Sequence, residues 1–225
     1  MGIVKNVFAA VVISIAAVSG AGSSFAGEQG GSVKTASLTV PTQPVQVDRS
    51  GDLLVQAESS MVRLGNDAVS VLSDKTLKRD ERISYFRKLI SGTLDIKVLG
   101  KFMLGREWKR MDDAQKAAYL AVFKDFIVQT YATRLGGTQV SKFQVTKTRL
   151  SGNKDVLVYS RVSRPGNSPI NAVWRLRERG DRFVILDLVV EGISMALTLR
   201  QEFTAILRKA GGVDGLIRTL KERSV

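Results

Sequence analysis

Two carboxylates, Asp187 and Glu191, stand four residues apart near the end of the apolar run "FVILDLVVEG" and are the groups best suited to acid–base chemistry. The chain has no His and no Cys, so the usual general base and the usual thiol nucleophile are missing. Only these carboxylates, Lys and Tyr remain for proton transfer. Glu191 or Asp187, buried in a cone-shaped fold, would suit a small-molecule isomerase or dehydratase. A plainer role for Glu191 is structural. The residues after it, Gly192-Ile193-Ser194, lead into an amphipathic helix, and the free N–H groups and macrodipole of a helix N-terminus favour negative charge.

The elements that position these carboxylates follow from periodicity. Beyond Gly137 apolar residues alternate with polar ones, and strands are expected over 140–150, 155–163, 170–178 and 182–190. Turn signals at Gly152-Asn153, Pro165-Gly166-Asn167 and Gly180-Asp181 keep the connections short, so the strands form an antiparallel meander. In the third strand Ile170, Ala172, Trp174 and Leu176 share one face and Asn171, Arg175 and Arg177 the other, which leaves one side of the sheet wet. The fourth strand is apolar on both faces apart from Asp187 and Glu191. It is either a central strand flanked by protein or the wall of a cavity, and the pattern fits both.

Helical spacing governs the rest. Leu54, Ala57, Met61, Leu64, Ala68 and Val71 give a helix over 52–72. A second helical pattern over 82–103 is interrupted near Gly92-Thr93. Asp112 with Gln115 starts the clearest helix, whose stripe of Tyr119, Phe123, Phe126, Ile127, Thr130 and Tyr131 ends at Gly136-Gly137. Ser194 suits an N-cap for a helix over 195–208, and Gly211-Gly212 separates it from a last short helix around 216–221. The fold class is therefore α+β, with helices packed on an antiparallel, twisted sheet of four to five strands.

The N-terminal residues read differently. Lys5, the apolar run 7–18 and Ser24-Phe25-Ala26 have the order of a secretory signal over 1–26, and the run is shorter than the ~20 residues that span a bilayer. Residues 27–48, rich in Gly, Ser, Thr, Gln and Pro, read as a flexible leader. One domain is expected over 49–225. The 34 Lys and Arg against 21 Asp and Glu give a net charge of +13. These cations are spread along the chain with no aromatic–basic motif, so nucleic acid is not an expected partner. Anionic membrane surfaces or acidic proteins are better matched.

Taken in order, Gly105-Arg106-x-Trp108, Thr130-Tyr131, Glu191-Gly192-x-Ser194 and Glu202-Phe203 closely resemble MlaC, the periplasmic phospholipid-binding family of the lipid-asymmetry pathway, also known for toluene tolerance. The resemblance covers roughly 52–221. Met111-Asp112-Asp113-Ala114-Gln115 stands where the family has a Thr-Pro-Glu-Gln type of helix start, with capping chemistry preserved. The resemblance implies a nuclear-transport-factor-like cone enclosing an apolar pocket for the acyl chains of a glycerophospholipid. It implies a monomeric periplasmic shuttle with transient membrane proximity, working between an outer-membrane lipoprotein complex and an inner-membrane ABC transporter with a lipid-binding ring. It implies no cofactor, metal or bond-breaking step.

Under this reading the pocket takes Leu99 and Met103 from the second helical segment, and Phe123, Phe126, Ile127 and Tyr131 from the aromatic stripe. Val158, Trp174, Leu186, Leu188, Val189 and Val190 come from the strands, and Ile193, Met195 and Leu199 from the corner and the helix beyond it. Ile193, between Gly192 and Ser194, is expected to turn inward at the pocket wall. Glu191, Arg106 and Arg134 are expected at the mouth, where an arginine could meet a phosphate. Trp108 is expected to anchor its loop by packing.

Physical size supports such a carrier. Two acyl chains hold ~30 methylenes, and at ~0.8 kcal/mol each their exposure to water costs on the order of 25 kcal/mol. A leaflet's hydrocarbon is ~15 Å deep and a domain of this length has a radius of gyration of ~16 Å. The chains fit only by entering the core region.

Overall fold

The computed structural model describes residues 49–136 and 139–224, the side chains at 49 and 134–136 excepted. The signal and leader expected over 1–48 lie outside the described residues. Helices come first: α1 (Arg49–Ser73), α2 (Arg79–Thr93), α3 (Ile96–Leu104), a 3₁₀ turn (Glu107–Lys109) and α4 (Asp113–Gly136). Strands β1 (Lys142–Ser151), β2 (Asp155–Arg164), β3 (Asn167–Arg179), β4 (Arg182–Val190) and β5 (Ile193–Ser194) follow, and α5 (Met195–Lys209) and α6 (Val213–Arg223) close the chain. The five strands form one sheet in sequence order with every neighbouring pair antiparallel. The α+β class and the meander are as the periodicity predicts. The two-residue β5 and the first turn of α6 extend what the patterns mark.

Local chemistry sets the boundaries. The interruption predicted near Gly92-Thr93 falls at Leu94-Asp95: Leu94 makes a parallel bridge to Ile185, and Asp95 caps α3 by accepting from the Val98 amide at 3.0 Å. Gly105 ends α3 at φ +55°, donating its amide to the Lys101 carbonyl. Asp112 accepts from the Gln115 amide at 2.7 Å and starts α4. Ser194 caps α5 through the Leu197 amide.

The buried apolar residues form two clusters. One is helical: Leu99, Met103, Tyr119, Phe123, Phe126, Ile127, Phe203, Leu216 and Leu220 with their neighbours from α3 to α6. Its centre is an aromatic stack, Tyr119 on Phe123 at 5.5 Å between ring centroids and Phe123 edge-on to Phe203 at 5.9 Å. The Tyr119 hydroxyl donates to the Gly100 carbonyl, and burial pushes its ionisation well above the ordinary tyrosine range. The other cluster joins α1 to the sheet through Ala57, Met61, Val156, Val158, Leu176 and Ile185. Leu94 packs against both. A domain of this size ordinarily buries one contiguous core.

Candidate functional site

The sheet face beneath α1 is built from rows of paired residues. Val156, Leu176 and Ile185 form one row, Val158, Trp174 and Leu188 the next, then Ser160, Ala172 and Val190, and finally Val162 with Ile170. The first row is buried under α1, whereas Trp174, Leu188, Val190, Val162 and Ile170 are half-buried. Leu188, Val190, Val162 and Ile170 belong to neither core cluster. The one hydroxyl that β2, β3 and β4 place on this face, Ser160, is buried, accepting from Trp174 Nε1 at 2.9 Å and donating to the Ala172 carbonyl. The face is half-covered at Trp174, Leu188 and Val190, closed over Ser160 and Ala172, and half-covered again at Val162 and Ile170 beside the β2–β3 hairpin. At its covered end a cleft of about 250 Å³ opens between Met61 and Leu64 of α1, Gly92-Thr93, and Leu176, Phe183 and Ile185.

The predicted lining residues divide among these regions. Leu99, Met103, Phe123, Phe126 and Ile127 are buried in the helical cluster, with Tyr131 and Leu199 packed against it and half-buried. Val158 is buried in the sheet cluster and Trp174 packs on it, its ring edge-on to Phe143 at 6.2 Å. Leu186 and Met195 are buried outside both clusters. Register separates the β4 positions. Leu188 and Val190 share the apolar face, whereas Val189 lies opposite Val173 on the outer face. Arg106 is exposed in the connection between α3 and α4, and the Arg134 side chain lies outside the described residues.

The corner around Glu191 is a two-residue β-hairpin. Val190 pairs with Ile193 and Val189 with Ser194, and the turn residues both take positive φ, +46° at Glu191 and +83° at Gly192. Glu191 thus occupies backbone space that favours glycine. Its amide donates to the Asn171 carbonyl and its Oε1 accepts from the Asn171 amide at 2.6 Å, so the carboxylate continues the β3–β4 ladder. The acid at the head of α5 is instead Asp187. Its Oδ2 accepts from Ser194 Oγ at 2.7 Å and its Oδ1 from the Ala196 amide at 3.0 Å. The structural role expected of Glu191 belongs to Asp187, because four strand residues and a turn bring Asp187 back beside the helix start. Ile193 shares a face with Val190; on the sheet's outermost strand it is 40% exposed, and Leu197 beyond it is 54% exposed.

With this geometry in hand, the chain matches the family model described as MlaC protein over residues 63–222. The chain belongs to the MlaC family. Among solved structures it resembles the phospholipid-binding protein from Ralstonia solanacearum, determined in complex with a phospholipid, with a TM-score of 0.62 and 21% sequence identity. That likeness covers 76% of this chain and 96% of the other, so the MlaC-type fold extends across the described domain.

The residues that carried the MlaC resemblance have visible structural tasks. Gly105 lies where a Cβ would come within 3.0 Å of the Arg200 guanidinium, which in turn sits over the Phe102 ring at 4.8 Å. Trp108 packs on the helical core edge-on to Tyr119, the anchoring role expected of it. Phe203 is fully buried between Phe123 and Phe126. Arg164, by contrast, carries no pattern that would single it out: in the sequence it is one more cation before a Pro-Gly turn. Its Nε is the only buried side-chain nitrogen or oxygen among the described residues that lacks a hydrogen-bond partner.

Proposed function

We propose that this chain is a phospholipid carrier, taking acyl chains between the half-covered apolar face of the sheet and the helical layer. The observation that carries this reading is the split core. Leu188 and Val190 on β4 and Val162 with Ile170 on β2–β3, joined across Ala172, are half-buried apolar residues outside both packed clusters, which a folded domain would ordinarily bury against itself. From the Val162–Ile170 row to the Trp174–Leu188 row is four residue steps, ~13 Å at strand rise, comparable to the ~15 Å of a leaflet's hydrocarbon. Family membership and the phospholipid held by the Ralstonia solanacearum protein support the same ligand. Catalysis by the two carboxylates draws no support, since Glu191 and Asp187 are both engaged by backbone amides.

In the full proposal the signal is removed after Ala26, residues 27–48 form a flexible leader, and the mature periplasmic protein shuttles lipid between outer- and inner-membrane complexes that maintain lipid asymmetry. No helix of the described residues is long and apolar enough to cross a membrane. Purification from a bacterial host without added ligand, followed by native mass spectrometry and denaturing lipid extraction, tests the carrier. Near-stoichiometric phospholipid is expected. Repeated absence of lipid from intact, folded protein overturns it.

A further inference from the structure

We propose that Arg164 is an anchor for a phosphate oxygen at the open end of the apolar face. The inference rests on the carrier reading for the identity of its main ligand, but its starting point is independent. Arg164 is the last residue of β2. Val156, Val158, Ser160 and Val162 alternate along the apolar face, and the next position of that alternation is Arg164. The register shift between Val162 and Arg164 places the extra residue on β3, so the pleat of β2 continues to its end. The side chain is half-buried and its Nε–H meets no acceptor.

An arginine is poorly suited to that position unless something completes it. Its guanidinium offers donors only, in a planar fork that fits phosphate. Asn167, opposite Arg164 in the hairpin, turns its amide nitrogen to the Pro165 carbonyl, and no acceptor reaches the Arg164 Nε. A buried donor beside an apolar face matches an amphipathic anion, with phosphate on Arg164 and hydrocarbon along Val162, Ile170 and Val190. The shared chemistry is a phosphate oxygen. It comes either from the phosphodiester of a lipid or from free inorganic phosphate.

The test uses the mature full-length chain, delipidated, as wild type and as Arg164→Gln and Arg164→Lys, with circular dichroism to verify that each variant is folded. Three probes are compared: vesicles of phosphatidylethanolamine and phosphatidylglycerol, diacylglycerol with the same acyl chains, and inorganic phosphate. Wild type is expected to take phospholipid in preference to diacylglycerol. Arg164→Gln is expected to lose that preference, with phospholipid affinity down roughly tenfold and diacylglycerol uptake unchanged. Arg164→Lys, which keeps the charge but not the fork, should fall between them. A folded Arg164→Gln that retains the wild-type preference overturns the anchor and leaves the carrier reading standing. If wild type takes neither lipid yet binds inorganic phosphate through Arg164, the carrier reading falls and the anion site survives. Binding of none of the probes overturns both.

Discussion

At the scale of single residues, the described domain uses its carboxylates to hold backbone and guanidinium groups in place. Asp187 serves two donors at the head of α5, so Asp187→Ala should cost about 1–2 kcal/mol. That loss appears as a fall in Tm of several degrees in calorimetry. Glu191→Gln keeps an acceptor for the Asn171 amide, and lipid content after extraction should match wild type. The outcome for Ile193→Glu follows from exposure: with 40% of Ile193 open to solvent, a carboxylate there can stay hydrated. The variant should fold and lose lipid occupancy less than tenfold, where a fully walled-in position would lose nearly all of it. Asp155 is the exception to exposure, 2% accessible and held by Arg175 at 2.6 Å and Arg177 at 2.6 Å. Burial pushes its carboxyl upward, but the bonds and charges of Arg177 and Arg175 outweigh that and leave it below the usual carboxylate range. A lowered folded-state pKa means the contribution is complete above the unfolded value of ~3.9 and disappears as pH falls through the folded one. Urea unfolding from pH 6 down to pH 2 should show that acid loss in wild type and a smaller one in Asp155→Asn.

At the scale of elements, α1 meets the sheet at unusually short range. A Cβ on Gly65 would lie 2.1 Å from the Phe143 ring, and Glu58 reaches across to accept from the Thr148 hydroxyl. Gly65→Ala therefore gains helix propensity but forces the ring aside, and overpacking should win by about 1–3 kcal/mol in urea titration. This contact was not legible in the sequence, where Gly65 is a weak point in an otherwise regular helical stripe. The strands were legible because period two and three glycine-marked turns are local signals. The helix caps at Asp112 and Ser194 were legible for the same reason. Pairing across the sheet is not local. Nothing near Asp187 announces that a hairpin will return it to Ser194, and nothing near Arg164 announces that the apolar face ends there with a donor unmet. The aromatic stripe of α4 was visible in full, but its spacing is the same for a core wall and a ligand wall. Phe123, Phe126 and Ile127 lie buried in the helical cluster, and the half-buried apolar residues lie on the strands.

At the scale of the whole molecule, charge is distributed unevenly across the sheet. Lys147, Arg149, Arg161 and Arg175 are exposed on or beside the outer face, and of these only Arg175 reaches the Asp155 carboxylate. Such a surface should be drawn to anionic bilayers at low ionic strength. Uptake from phosphatidylglycerol-containing vesicles should slow as salt rises from about 0.05 M to about 0.5 M, where the screening length shrinks towards a few ångströms. Uptake from uncharged vesicles should change little. The register irregularity between Val145 and Lys147 has its own consequence for association between copies. β1 is the long outer strand of an open sheet, and a straight outer strand is a template on which another chain can add. Here the bulge bends it, and exposed Lys142, Lys147 and Arg149 place like charges where a second copy would pair. The opposite border ends in a strand of two residues, too short to propagate a ladder. Both borders of the sheet are thereby denied the strand-to-strand route into fibres. Excising Thr146 and replacing Lys147 and Arg149 with Thr should restore that route, seen as rising light scattering on storage.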